Sequence, residues 1–258
     1  MSGRPQWSYA QARLQARHGE RLQEADWRAL EAAQSIDQFI ERSRASSLRR
    51  FTEGVNARMS SHAIERLLRA AWRAYVAEVA AWVPPSWRSA LLWTSHLPDL
   101  PVLDALRKGE APDWTRQDPA FAEFVEGDPQ HRAANLAQSP LAPLFASDTR
   151  ETTLAAPWYA HWRSLWPKRR AANDRPLLDL AGTLKSHVER LGRAARQETS
   201  GPYRAELAQA VTRMFRRRGG SPVAVFCHLA LVALDLERLR GGLVRRRLFP
   251  PGHAKEAA

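Results

Sequence analysis

The stretch Ser61-His-Ala-Ile64-Glu-Arg-Leu67-Leu68-Arg-Ala-Ala71-Trp72-Arg-Ala-Tyr75-Val76-Ala-Glu-Val79-Ala-Ala-Trp82-Val83 decides the fold class. Ile64, Leu67, Leu68, Ala71, Trp72, Tyr75, Val76 and Val79 recur at alternating steps of three and one. That spacing lines one face of a helix. Ser60 or Ser61 offers an oxygen to cap its start, and Pro84–Pro85 ends it. Each large side chain of the stripe contributes about 1.5–3 kcal/mol when fully buried. Fixing each backbone residue costs about 1–2 kcal/mol. The stripe therefore needs partner helices.

Working outward, a helical pattern from Trp7 to Leu30, with Tyr9, Leu14, Leu22 and Leu30, is the natural partner. Another begins at Ser35, with Ile36, Phe39 and Ile40 on one side. Between Pro98 and Pro176 the texture changes. Prolines recur there, and short pieces are expected at Val102 to Lys108, Ala120 to Val125, Leu141 to Phe145 and Trp158 to Trp166. Long helices resume at Leu177 to Gln197 and Tyr203 to Arg218. The last runs from Pro222 to about Arg247 after the break at Gly219–Gly220. Its first half is apolar all round and its second half is basic, in one element of roughly 39 Å at 1.5 Å per residue. No strand alternation extends beyond a few residues. The expectation is a single all-α chain over 1–258, a lobed multi-helix bundle with an N-terminal lobe over 1–100, a reduced middle lobe over 101–175 and a C-terminal lobe over 176–258.

Lys and Arg total 39 against 27 Asp and Glu, a formal charge of +12. Such a surplus points to an anionic neighbour: nucleic acid, an acidic lipid surface or an acidic protein face. A coding bias that writes Arg at any solvated position explains it equally well. With one cysteine, Cys227, no internal disulfide forms. Met1 to Trp7 lacks the apolar core of a signal peptide. The apolar run Val223 to Leu234 is interrupted by His228 and falls short of the roughly 20 residues that cross a bilayer. The expected location is the cytoplasm, with peripheral association at the cytoplasmic membrane.

Motifs for catalysis are missing from the sequence: no glycine-rich phosphate loop, no nucleophile elbow, no metal-ligand spacing. Cys227 and His228 are adjacent, but helix neighbours diverge by about 100° and do not face one another. A buried cysteine beside a satisfied histidine is the preferred reading. No catalytic, cofactor-binding or metal-ligating residue is assigned, and no cofactor or small-molecule substrate is expected. Trp158, Trp162 and Trp166, spaced by four, read as the core stripe of a short helix, with an aromatic anchor or a base-stacking platform as the alternative. Three basic runs, Lys168 to Arg170, Arg213 to Arg218 and Arg245 to Arg247, read first as solvated cations and second as docking groups.

The two ends of the chain resemble the C/d subunit family of V-type and archaeal-type ATPases, the central-stalk socket on the membrane rotor ring. The likeness lies in Tyr9 to Arg17, in Ser35-Ile-Asp-Gln-Phe39-Ile40, in Ser47 to Phe51, and in the helix Ile64 to Val83. It continues through Leu91-Leu92-Trp93 and His96 to Leu103. At the other end it lies in Pro222 to Pro251, with the step Arg238-Leu239-Arg240 and the basic stretch ending in Phe-Pro. The family carries a Lys-Glu pair and further acids in the last helix, where this chain has Ala230 and Leu231, with Asp235 and Glu237 nearby. The resemblance thus implies a divergent, shortened member. It implies a non-catalytic subunit that transmits torque for ion transport, with the rotor ring and the central shaft as partners and contact with an anionic membrane surface. The partner-contact candidates are Arg213, Arg216, Arg217, Arg218, Arg238, Arg240, Arg245, Arg246 and Arg247. Two rival readings are a basic helical nucleic-acid-binding protein, separable by a gel shift at two salt concentrations, and an unrelated helical adaptor.

Overall fold

The computed structural model describes residues 3–146, 153–168, 171–195 and 201–249. The helices in chain order are α1 (Gly3–Gly19), α2 (Glu24–Glu31), α3 (Ile36–Arg44), α4 (Arg49–Thr52), α5 (Ser61–Trp82), α6 (Pro85–Trp93) and α7 (Leu100–Arg107). They continue with α8 (Ala122–Val125), α9 (Pro129–Gln138), α10 (Ala155–Ser164), α11 (Ala171–Ala195), α12 (Gly201–Arg217) and α13 (Pro222–Leu248). Short 3-10 turns lie between several of them, and no strand occurs among the described residues. The fold is all-α.

Local chemistry sets the boundaries of α5. The Ser60 hydroxyl accepts from the Ala63 N–H at 3.2 Å, which caps the helix. Val83 adopts an extended backbone ahead of Pro84, as a residue before proline does. Of the stripe, Ile64, Leu68, Trp72, Tyr75, Val76 and Val79 are buried, while Leu67 and Ala71 are half-buried at its margin. The Trp7–Leu30 pattern is two helices, not one. Gly19 ends α1, and the Gln23 N–H donates to the Asp26 carboxylate at 2.8 Å to open α2. Trp7, Ala10 and Leu14 form the buried face of α1, and Tyr9 is left outside. Further on, Ser35 caps α3 through the Gln38 N–H at 3.2 Å, and Phe39 and Ile40 are buried as expected.

The described residues form two units: those up to Arg88 together with those from Pro167 onward, and Ser89–Trp166. The division differs from three successive lobes over 1–100, 101–175 and 176–258. The reason lies in α13. Its first half, from Pro222 to Leu229, is buried residue by residue and needs cover on every side. That cover comes from both ends of the chain, since α1, α3, α5, α11 and α12 all pack on α13. The turn that feeds α13 depends on Gly220, whose φ of 69° lies in the left-handed region and whose N–H donates to the Gln11 side chain at 2.8 Å.

In the second unit, α10 holds the tryptophan stripe. Trp162 and Trp166 are buried, Trp158 stacks on Trp162 with centroids 5.9 Å apart, and Trp166 meets Trp162 edge-on at 4.8 Å. Trp93 and Trp158 clasp one another: each indole N–H donates to the other's backbone carbonyl, at 3.1 and 3.3 Å. The stripe is core. The sequence reading missed α6 and α9, and began α11 at Leu177, whereas it starts at Ala171 with Pro176 inside it.

Gly241 and Gly242 sit side by side in α13 with opposite surroundings. A Cβ on Gly242 would lie 2.3 Å from Cζ of the buried Phe39 ring, while one on Gly241 meets nothing within 4 Å. Gly242→Ala is expected to destabilise the first unit by about 1–2 kcal/mol, overpacking outweighing the gain in helix propensity. Gly241→Ala is expected to stabilise it by about 0.5–1 kcal/mol. Calorimetric melting of the two variants checks the pair, and equal shifts would remove the Phe39 contact as the cause.

Candidate docking surfaces

Eight of the nine arginines singled out from the sequence lie on α12 and α13, with Arg218 just past the end of α12, and their neighbours divide them into two sets. The second half of α13 runs past the α2 segment, so its cations meet acids from the other end of the chain. Arg238 forks between two carboxylates: it donates to Glu31 at 2.6 and 2.9 Å and to Glu24 at 2.8 and 3.0 Å. Its guanidinium also lies 4.8 Å from the Trp27 ring centroid. Hydrogen bonds that Arg238 donates to Glu31 and then to Glu24 raise its pKa, and in return Arg238 lowers that of Glu24. Arg240 pairs with Glu65 of α5 at 2.6 Å. One turn upstream, Asp235 receives both arms of Arg21, at 2.7 and 2.8 Å. Burial keeps the Asp235 carboxyl above its usual range in spite of that partner.

Arg246 is held most closely. Only 6% exposed, it donates to the carbonyls of Glu31 at 2.6 Å, Ala33 at 2.9 Å and Gly242 at 3.1 Å, over the Phe39 ring at 4.3 Å. Burial lowers its pKa. Arg247 is exposed and donates to the Met59 carbonyl at 2.8 Å. These residues tie α13 to α2, α3 and α5. Of the partner-contact candidates, Arg238 and Arg246 direct most of their donors to their own chain.

The other set is exposed. Arg213, Arg216, Arg217 and Arg218 close α12, Arg245 lies in the last turn of α13, and none has an ion-pair partner among the described residues. The helix dipole favours cations at these ends by about 0.3–1 kcal/mol each. The α12 group stands beside α1: the His18 ring is 4.5 Å from Phe215, and Gly220 is bonded to Gln11. Arg245 stands at the far end of α13. Of the third basic run, Lys168 is exposed and the remaining two residues lie outside the described ones.

Between these ends lies a polar seam in the core. The His228 ring nitrogen Nε2 and the Tyr75 hydroxyl are 2.6 Å apart, both side chains buried. Burial pushes His228 down to about 3 and the Cys227 thiol up to about 12. A thiol so raised is no thiolate at neutral pH, and the imidazole bonds to Tyr75. An open cleft of about 820 Å³ lies between the α1–α2 turn and α3. Its charged side chains are engaged: Glu20 with Arg17, Arg21 with Asp235, Asp26 with the Gln23 N–H, Arg42 with the Ala29 carbonyl. Among the described residues no three His, Cys, Asp or Glu side chains gather as a metal site requires, and no helix is long and apolar enough to cross a membrane. The sequence had no means of finding the Arg21–Asp235 and Tyr75–His228 pairs, whose members are 214 and 153 residues apart. Compared with protein-family models, with curated proteins and with solved structures, the chain matches none.

Proposed function

We propose that the chain is a non-catalytic docking subunit, a divergent and shortened socket of the central stalk in a rotary ATPase, set between the soluble shaft and the membrane rotor ring. The observation that carries the reading is the union of the first and last segments, the two that bear the resemblance. They pack as one unit, crosslinked by Arg21–Asp235, by Arg238 with Glu24 and Glu31, and by Arg246 under the α2 carbonyls. A subunit that passes torque needs a body that does not yield, and close-packed helical interiors compress little. Exposed arginines at opposite ends of α13, some 39 Å apart at 1.5 Å per residue, offer two separate faces for neighbours. In this reading the basic surplus lies close to anionic headgroups, whose attraction fades within about 8 Å at physiological salt.

The test is purification of the tagged chain from detergent-solubilised membranes of its own host, followed by mass spectrometry. Rotary ATPase subunits in stoichiometric amounts support the proposal. Stoichiometric recovery of an unrelated protein, or recovery of the tagged chain alone, overturns it.

A further inference from the structure

We propose that the end of the first unit formed by α1 and the C-terminal half of α12 docks the N-terminal turns of an acidic helix belonging to a protein partner. The starting point is where the acids are not. No Asp or Glu occurs between Glu206 and Asp235, and none occurs anywhere in α1. Within the first of these gaps stand Arg213, Arg216, Arg217 and Arg218, all exposed. Elsewhere in the unit several arginines are paired with acids of the same chain. On the same helix Arg204 pairs with Glu237 at 2.7 Å, and Arg190 of α11 reaches Glu206 of α12 at 3.2 Å. Along α12 the ion pairs stop after Glu206, where its acid-free stretch begins. The dipole accounts for cations in the last turn of α12, but not for Arg213 a turn earlier, nor for the missing acids on neighbouring α1.

The geometry selects among anionic partners. Arg213, Arg216 and Arg217 are related as i, i+3 and i+4 and lie on one face, with neighbouring Cβ atoms about 5–6 Å apart. The buried residues Leu207, Val211 and Phe215 hold the opposite face against the core. Carboxylates at the same helical spacing match that row, and each Arg can bind one bidentately. Such carboxylates are favoured in the first turns of a helix, so an acidic N-terminus set against the C-terminus of α12 pairs opposite dipole ends. Nucleic-acid phosphates draw on the same guanidinium groups without that helical spacing, and the duplex arm of the experiment separates them. Peripheral lipid binding draws on inserted apolar side chains, and of the exposed large hydrophobics only Tyr9 belongs to α1 and none to α12. The inference does not rest on the rotary ATPase reading, since it concerns the chemistry of one surface and not the machine that supplies the partner.

The experiment is fluorescence anisotropy on the full chain with a labelled helical peptide of about 20 residues, carrying Glu at i, i+3 and i+4 in its first two turns. The expected result is salt-sensitive binding that weakens about tenfold or more when Arg213→Glu and Arg217→Glu are combined. A peptide of identical composition with the Glu residues in its last turns is expected to bind more weakly than the first. The neutral pair Arg213→Gln with Arg217→Gln gives the same direction of change without added repulsion, and its circular dichroism melt reports retention of the fold. The proposal is overturned if duplex DNA or phosphatidylserine vesicles bind more tightly than the peptide, or if the variants bind it as the parent does.

Discussion

Arg246→Ala is expected to lower the unfolding free energy of the first unit by about 2–4 kcal/mol, while Arg245→Ala changes it by less than about 0.5 kcal/mol. The two residues are consecutive in the same basic run. Arg246 is buried, fills space over Phe39, and satisfies the carbonyls of Glu31 and Ala33 at the end of α2. Truncation empties that space and leaves those buried acceptors without a donor. Arg245 is exposed and holds no ion-pair partner among the described residues. At about 2–4 °C per kcal/mol for a chain of this size, calorimetry separates the variants by several degrees. Equal shifts would mean that Arg246 is as solvated as its neighbour.

Acid is expected to destabilise the same unit through His228. The imidazole is held neutral by burial, with its pKa lowered to about 3 against about 6.5 in the unfolded chain. Because the unfolded state then binds the extra proton, this contribution is intact above about pH 6.5 and falls as pH drops toward 3. The slope is about 1.4 kcal/mol per pH unit, so roughly 2.5–3 kcal/mol is lost by pH 4.5. His18, lowered by burial and then by Arg21 and Arg216, adds in the same direction. Asp235, raised by burial, acts against it. Measuring urea midpoints from pH 7 to 4.5 for the parent and for His228→Phe isolates the histidine. The variant is expected to lose the steep part of the slope, whatever its stability at pH 7. Parallel profiles would rule out His228 as the titrating group.

Much of the fold is legible in the sequence. The three-and-one stepping of Ile64 to Val79 named a buried helix face, Ser35 and Ser60 marked starts, and Gly219–Gly220 with Pro222 marked the last break. Each of these is a local signal, carried by residues within a turn or two of the boundary. The misreadings were also local in origin. Gly19 lies inside an apolar pattern that continues past it, and α6 begins on Pro85, part of the same proline pair that ends α5. Proline fixes φ at a helical value and suits the first position of a helix as well as the end of one.

Helix content, the course of the long helices and the all-round burial of the start of α13 are properties of short windows, because capping, propensity and hydrophobic period act over a few residues. The fate of the arginines is not such a property. Arg238, Arg246, Arg213 and Arg217 look alike in sequence, yet two are wrapped by carboxylates, carbonyls and rings supplied from more than 200 positions away, and two face solvent. Which cation is spent on the chain's own interior and which is left for a neighbour depends on what folding brings within hydrogen-bond reach. The side chain's chemistry is the same in both places.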